Sequence, residues 1–296
     1  MAQKLLLIMN PVAGVKKSNK YLTDILCLFW EYECCVQTTT VSFGPEKIIE
    51  LYGKDKDLII CIGGDGTFNE MISGLLRNKL SPKVGYIPSG STNDFAAGMK
   101  ISLNPLQAAK DILNGKPKCL DVGLFNTRIF VYTASFGVFT KTSYNTPRDL
   151  KNTLGYLAYL LEGIKEIADI KSYHIKLTSK EKSIDGNFIF GAVCNSKRLG
   201  GGMLKFSDND VDMNDGLLEV LLIKNPKNPA ELMQILMDIN NKHFQSSMFE
   251  FFSATELKIE TDDEIDWTID GEFQKGTDKI SIKNIKSAIN LIVPEE

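Results

Sequence analysis

The chain has only two histidines, His174 and His243, far apart and without the H-x-x-x-H spacing of a zinc site, which argues against zinc chemistry. Its six cysteines (Cys27, Cys34, Cys35, Cys61, Cys119, Cys194) form no C-x-x-C pair and mostly sit in apolar runs. That is the pattern of reduced cysteines in a cytoplasmic protein. A net charge of −3 gives no global basic field, so nucleic acid is not an expected partner. The apolar run that starts the chain is cut at Asn10-Pro11, too short for a secretory segment, and no other run approaches the length of a transmembrane span. There is no Walker A loop, because Gly14-Val15-Lys16-Lys17-Ser18 lacks the second glycine, and the H-R-D and D-F-G elements of protein kinases are missing. Repeats and low-complexity tracts are absent too.

What is present is a chain of 296 residues, 43% hydrophobic and 24% charged, long enough for one large or two ordinary domains. Its most informative stretch runs from Asp57 to Glu70. An isoleucine-rich run reads as a buried parallel strand. It breaks into Gly63-Gly64-Asp65-Gly66-Thr67 and continues as a helix pattern through Met71, Ile72, Leu75 and Leu76. A strand, a glycine turn and a helix together present backbone N–H groups and a helix N-terminus to a phosphate. Asp65 is unusual there, since a carboxylate repels phosphate unless a divalent cation lies between, so the loop reads as one for a magnesium-bound nucleotide. Thr67-x-x-Glu70 is also a capping box, a purely structural explanation for both residues.

Around this stretch the first part of the chain alternates. Strands are expected at Lys4 to Met9, Cys34 to Thr40 and Val84 to Ile87, with helices from a Ser18 cap through Phe29, from Pro45 through Leu51, and over Leu106 to Leu113. This is a parallel α/β sheet, whose ligands bind beyond the carboxyl ends of the strands. The loops at Asn10, Thr40, Gly63 and Ser91 all fall there. After about Asp121 strands dominate: Leu120 to Asn126, Ile129 to Ser135, Tyr173 to Thr178, Phe188 to Asn195, Leu217 to Ile223, Phe249 to Glu260, Ile265 to Ile269 and Ser287 to Val293. Only Leu154 to Ala168 and Ala230 to Asn240 read as helices. The first of these is strongly apolar, suited to a core or to a lipid-facing groove. The expectation is an N-terminal doubly wound α/β domain over 1–125, to which a strand within 285–296 can return, and a mostly antiparallel β-sandwich over 126–284.

Carboxylates stand in or beside loops at Asp65, Asp94, Asp121, Asp270 and Glu272. Each has a structural alternative. Ser91-x-x-Asp94 can cap a helix, Asp121 can end a strand, and Asp270-Gly271 is a common hairpin turn. The acidic segment from Asp208 to Leu217 could hold a hard cation or simply be an exposed turn, and it does not match an EF-hand.

Taken together, Gly63-Gly64-Asp65-Gly66-Thr67 with Asn69-Glu70, Asn10-Pro11-x-x-Gly14, Thr40 before Gly44, Gly90-Ser91-Thr92-Asn93-Asp94-Phe95, Leu120-Asp121-Val122-Gly123, Asn214-Asp215-Gly216-Leu217-Leu218 and Asp270-Gly271-Glu272 resemble the diacylglycerol kinase catalytic-domain family. Bacterial YegS-like lipid kinases are included, and the resemblance covers nearly the whole chain. It implies an N-terminal domain like those of phosphofructokinases and NAD kinases, a C-terminal β-sandwich, and ATP-dependent phosphorylation of a lipid hydroxyl, with diacylglycerol the default acceptor. It implies ATP contacts from Asn10, Thr40, the loop Gly63, Gly64, Asp65, Gly66 and Thr67 with Asn69 and Glu70, and Ser91. This last position is threonine in many relatives. It implies a magnesium–water network at Asp65, Asp94, Asp121 and Glu272, a general base at Asp270 or Glu272, and a structural magnesium at Asp215 with carbonyls of Asp212 and Leu217. A buried cluster of like charges would raise one carboxyl toward the working pH, as a base requires. The implied partner is a lipid at the membrane surface, met by a cytoplasmic or peripheral protein, with a homodimer compatible. Two alternatives remain. NAD kinases share the glycine loop but carry their Asn-Glu pair well downstream, and a nucleotide-binding regulator would have lost catalysis.

Overall fold

The computed structural model describes residues 2–14, 19–138, 170–199, 204–206, 211–262 and 264–295. The expected helix over 154–168, the Ser18 cap and Asp208 lie outside the described residues. The chain divides into two compact units, Met1–Val122 with Lys286–Glu296, and Gly123–Ile285.

The first unit alternates strands and helices: β1 (Lys4–Met9), α1 (Leu22–Leu28), β2 (Glu33–Thr38), α2 (Pro45–Tyr52), β3 (Leu58–Gly63), α3 (Asp65–Arg77), β4 (Lys83–Pro88), α4 (Asp94–Gly98) and α5 (Pro105–Asn114). β1 pairs in parallel with β2 on one side and β3 on the other, and β3 pairs in parallel with β4. The central strands are fully buried from Leu5 to Ile8 and from Ile59 to Ile62, which is why they read as continuous apolar runs. Helix α5 starts cleanly because Asn104 Oδ1 accepts from the Leu106 and Gln107 amides and Pro105 opens the first turn.

β5 (Lys116–Phe125) carries the chain out of this unit. The second unit holds β6 (Arg128–Phe130), β7 (Thr133–Gly137), β8 (Tyr173–Ser179), β9 (Ser183–Cys194), a short ladder of β10 (Arg198–Leu199) with β11 (Leu204–Lys205), and β12 (Leu218–Lys224). Then follow α6 (Pro229–Asn241), β13 (Phe249–Ala254), β14 (Glu256–Thr261), β15 (Trp267–Ile269), β16 (Glu272–Gln274) and the long β17 (Lys279–Val293). The ladders are antiparallel throughout. β9 is shared between two layers. Its first half pairs with β8, which leads to β14 and β17, and its second half lies between β7 and β12. Between the layers sits one apolar core, in which Trp267 packs against Phe125 and Phe136 at centroid separations of 5.0 and 4.9 Å, with Ile175, Leu257 and Ile280 opposite.

Two expected strands are each divided. Ile129 to Ser135 splits at Val131-Tyr132, and Phe249 to Glu260 splits at Thr255, which hands the chain from one layer to the other. The last strand is longer than expected. β17 pairs with β14 in the second unit through Lys279 to Lys283, and in parallel with β4 in the first through Asn290 and Leu291.

Candidate active site

In the first unit, β1 lies between β2 and β3, so successive crossovers leave it in opposite directions. Such a switch point leaves a crevice at the strand carboxyl ends. Three loops meet there. Gly14, after β1, has φ +61, and a Cβ on it would lie 2.1 Å from the Ser89 carbonyl oxygen, so only glycine fits. Gly64 and Gly90 approach so closely that a Cβ on Gly90 would lie 2.6 Å from the Gly64 Cα. Asn10 ties the first loop to the second by donating from Nδ2 to Thr67 Oγ1 at 3.0 Å, and the Ser89 amide donates to the Gly63 carbonyl at 2.8 Å. Ser89 Oγ is buried with no hydrogen-bond partner among the described residues, one which a polar ligand in the crevice would provide.

Helix α3 begins at Asp65 behind an extended Gly64, with no side-chain cap. The capping-box reading of Thr67 and Glu70 is therefore corrected. The helix starts directly from the strand end, Thr67 lies inside the first turn, and its hydroxyl serves Asn10. Asp65 is held by two donors, the Asp94 amide to Oδ2 at 3.0 Å and the Tyr86 hydroxyl to Oδ1 at 3.3 Å. Burial, with the charge of Asp65 beside it, pushes the Tyr86 phenol well above its ordinary value, so Tyr86 stays a donor. Phe68 stacks between Tyr86 and Phe95 at 4.4 and 4.9 Å, backing the loop with a rigid aromatic wall. The Ser91 cap is corrected in the same way. The residue before α4 is Asn93, in the left-handed conformation (φ +53), and its side chain exchanges two hydrogen bonds with the Gly90 backbone.

The remaining positions of this unit are arranged as follows. Thr40 and Ser91 are exposed, and Asn69 is buried in α3. Gly44 lies against the Glu70 carboxylate, bringing the loop after β2 to the side of α3. Asp94 and Asp121 are both buried, and Asp121 Oδ1 accepts from the Ser287 amide at 2.7 Å.

In the second unit Asp270 and Gly271 form the turn between β15 and β16, both with positive φ (+48 and +85), a type I′ geometry. The turn is more than a connector. The Asp270 carboxylate is buried and accepts three backbone amides, Val131 to Oδ2 at 2.7 Å, with Tyr132 and Thr133 to Oδ1 at 3.1 and 2.9 Å. This explains the break between β6 and β7, since those amides leave the ladder to wrap the carboxylate. With donors on both oxygens, the carboxylate is held in one orientation. Glu272, by contrast, is exposed and pairs with Arg128 at 2.7 Å. Asp212 and Asp215 lie in one turn with Leu217, each Oδ1 accepting an amide two residues on, from Asn214 and Leu217. Among the described residues no group of three or more His, Cys, Asp or Glu side chains is arranged to hold a metal ion.

The motifs read from the sequence include neither Tyr86 nor Arg128. Tyr86 had a signal, a hydroxyl-bearing residue amid the apolar run of β4, whereas Arg128 had none that spacing could reveal.

A family model described as the diacylglycerol kinase catalytic domain matches residues 4–125, and one described as the YegS C-terminal NAD kinase beta sandwich-like domain matches residues 134–293. The chain belongs to the diacylglycerol kinase catalytic-domain family. It is 29% identical over 295 residues to a diacylglycerol kinase of Bacillus subtilis (strain 168), covering 98% of this chain and 96% of that protein. It is 26% identical over 309 residues to one of Staphylococcus aureus (strain MRSA252), covering 100% and 94%. A crystal structure from Bacillus anthracis str. Sterne, named as a candidate diacylglycerol kinase, superposes with a TM-score of 0.81 at 25% identity over 98% of this chain and 95% of that one. The protein is thus a lipid kinase, with the two-domain architecture of that family. Kinase membership implies use of ATP and usually a divalent metal. Among the described residues no helix is long and apolar enough to cross a membrane.

Proposed function

We propose that this lipid kinase transfers the γ-phosphoryl group of magnesium–ATP to the free hydroxyl of diacylglycerol, giving phosphatidic acid. The observation that carries the reading is the meeting of the Asn10–Gly14, Gly63–Thr67 and Ser89–Asn93 loops, backbone against backbone, around Asp65. Glycines at close approach, the N-terminus of α3 and the orphaned Ser89 hydroxyl suit a polyphosphate. Asp65 and Asp94 suit the cation that must accompany it, because magnesium is usually held by one or two carboxylates together with substrate phosphates. Bound there, magnesium–ATP supplies the phosphoryl group and offsets the carboxylate charge.

This chain's residues would divide the work. Asn10, Thr40, the Gly63–Thr67 loop, Asn69, Glu70 and Ser91 bind and orient the nucleotide, while Asp65, Asp94, Asp121 and Glu272 serve the metal and its waters. Asp270 takes the proton of the lipid hydroxyl, and of the two candidates for that role it is the buried one, held in one orientation by three backbone amides. Phe273, 64% exposed beside the Asp270 turn, offers an apolar contact suited to a lipid acceptor. In the same way Asp212, Asp215 and Leu217 form a turn that a structural magnesium could tighten. The enzyme would act from the cytoplasm, at the membrane surface where its acceptor resides. Incubation with γ-labelled ATP and a panel of lipid alcohols, with NAD alongside, tests the reading. Label on diacylglycerol is expected, and label on NAD with none on any lipid would refute it.

A further inference from the structure

Arg128 has no part in the roles described so far, yet among the described residues its guanidinium bonds to the strand that follows the Asp270 turn. From β6 its guanidinium reaches Glu272 Oε2 at 2.7 Å through Nη2, and through Nη1 it reaches the Phe273 carbonyl at 3.4 Å and Gln274 Oε1 at 3.2 Å. Three consecutive residues of β16 are therefore held by one planar fork, the geometry that distinguishes arginine from lysine. The side chain is 31% exposed, so the pair is partly shielded from water. Three to five residues further along the same segment, the Val131, Tyr132 and Thr133 amides grip the Asp270 carboxylate, and the Asp270 amide donates back to the Thr133 carbonyl at 2.9 Å. The segment Arg128–Thr133 thus clasps the hairpin at both of its sides, with the side chain of Arg128 on β16 and the backbone on the turn. Among the described residues β16 pairs with β15 alone and forms an edge of its sheet.

We propose that Arg128 is a positioning residue for phosphoryl transfer, which by holding Glu272, Phe273 and Gln274 keeps the Asp270 carboxylate seated on the Val131–Thr133 amides. A carboxylate displaced by about 1 Å can cost on the order of a hundredfold in rate, whereas loss of a solvated ion pair alone costs little stability. This inference rests on the reading of Asp270 as the proton acceptor.

The test compares purified full-length Arg128→Ala, Arg128→Lys and Asp270→Asn with the unaltered enzyme, using labelled ATP and diacylglycerol in mixed micelles. Arg128→Ala is expected to lower kcat by at least about tenfold with KM for ATP unchanged, and to raise hydrogen exchange at the Val131–Thr133 amides while the rest of the protein keeps its protection. Arg128→Lys, which keeps the charge but not the fork, should recover only part of the rate. Unchanged kcat in Arg128→Ala, alongside an inactive Asp270→Asn, overturns the inference and leaves the proton-acceptor reading standing. Full activity in Asp270→Asn overturns that reading itself. A general loss of protection in Arg128→Ala, with kcat per folded molecule retained, would mark the residue as merely structural and also overturn the proposal.

Discussion

At the scale of single residues the Gly63–Thr67 loop depends on a donor that its own sequence does not contain. Tyr86 lies two strand positions before the β4 loop and reaches Asp65 through a hydroxyl that burial keeps protonated. Tyr86→Phe should cost about 1 kcal/mol of stability at neutral pH, since the bond is made to a charged acceptor but is long. It should also weaken ATP binding. The sign of the pH dependence follows from the raised phenol. The folded protein keeps the proton after the unfolded chain has lost it, so the Tyr86 contribution is fully present below about pH 10 and fades as pH rises beyond that. Urea unfolding of both proteins at neutral and alkaline pH should therefore show a gap that narrows on the alkaline side. A gap that widened there would contradict the assignment. Asp65 itself was legible in the sequence because a carboxylate among glycines demands a chemical reason. Tyr86 was harder to read, because a tyrosine in a buried strand is most simply taken as core.

At the scale of elements, the parallel strands were readable because β1 and β3 are buried on both faces and so are continuously apolar. Their helices followed from Pro45 at a first-turn position and from apolar periodicity. Three features escaped. The start of α3 was obscured by a Thr67–Glu70 pattern that mimics a cap, the Asn93 conformation replaced a serine cap, and the division of β6 from β7 is imposed by Asp270, which lies 137 to 139 residues away along the chain. No local pattern can announce a constraint that distant. The loop elements make a sharp prediction at Gly14. Gly14→Ala forces a side chain into the left-handed region at about 1–2 kcal/mol, roughly tenfold in affinity, before its contact with the Ser89 carbonyl is counted. ATP titration of this variant should show a KM raised by at least that factor, with the circular dichroism of the fold retained. An unaltered KM would mean that the Gly14–Ser89 contact does not shape the nucleotide site.

At the scale of the whole molecule, the succession of motifs spread from Asn10 to Glu272 carried more information than any one of them, because each alone has an ordinary structural explanation. The family, its two-domain architecture and its kinase chemistry follow from that succession and agree with relatives covering the full length of the chain. The acceptor was less legible, since a lipid is recognised by apolar surface that any globular protein shows in small amounts. In the proposed reaction the glycine loops bind the phosphoryl donor while Asp270 takes the acceptor's proton. The most direct measurement is the rate of γ-phosphate transfer from ATP to diacylglycerol by the unaltered enzyme and by Asp270→Asn, with ATP affinity determined for both. Labelled phosphatidic acid is expected from the unaltered enzyme, with a loss of at least about a hundredfold in the variant at unchanged ATP affinity. Transfer by Asp270→Asn at the unaltered rate would contradict it.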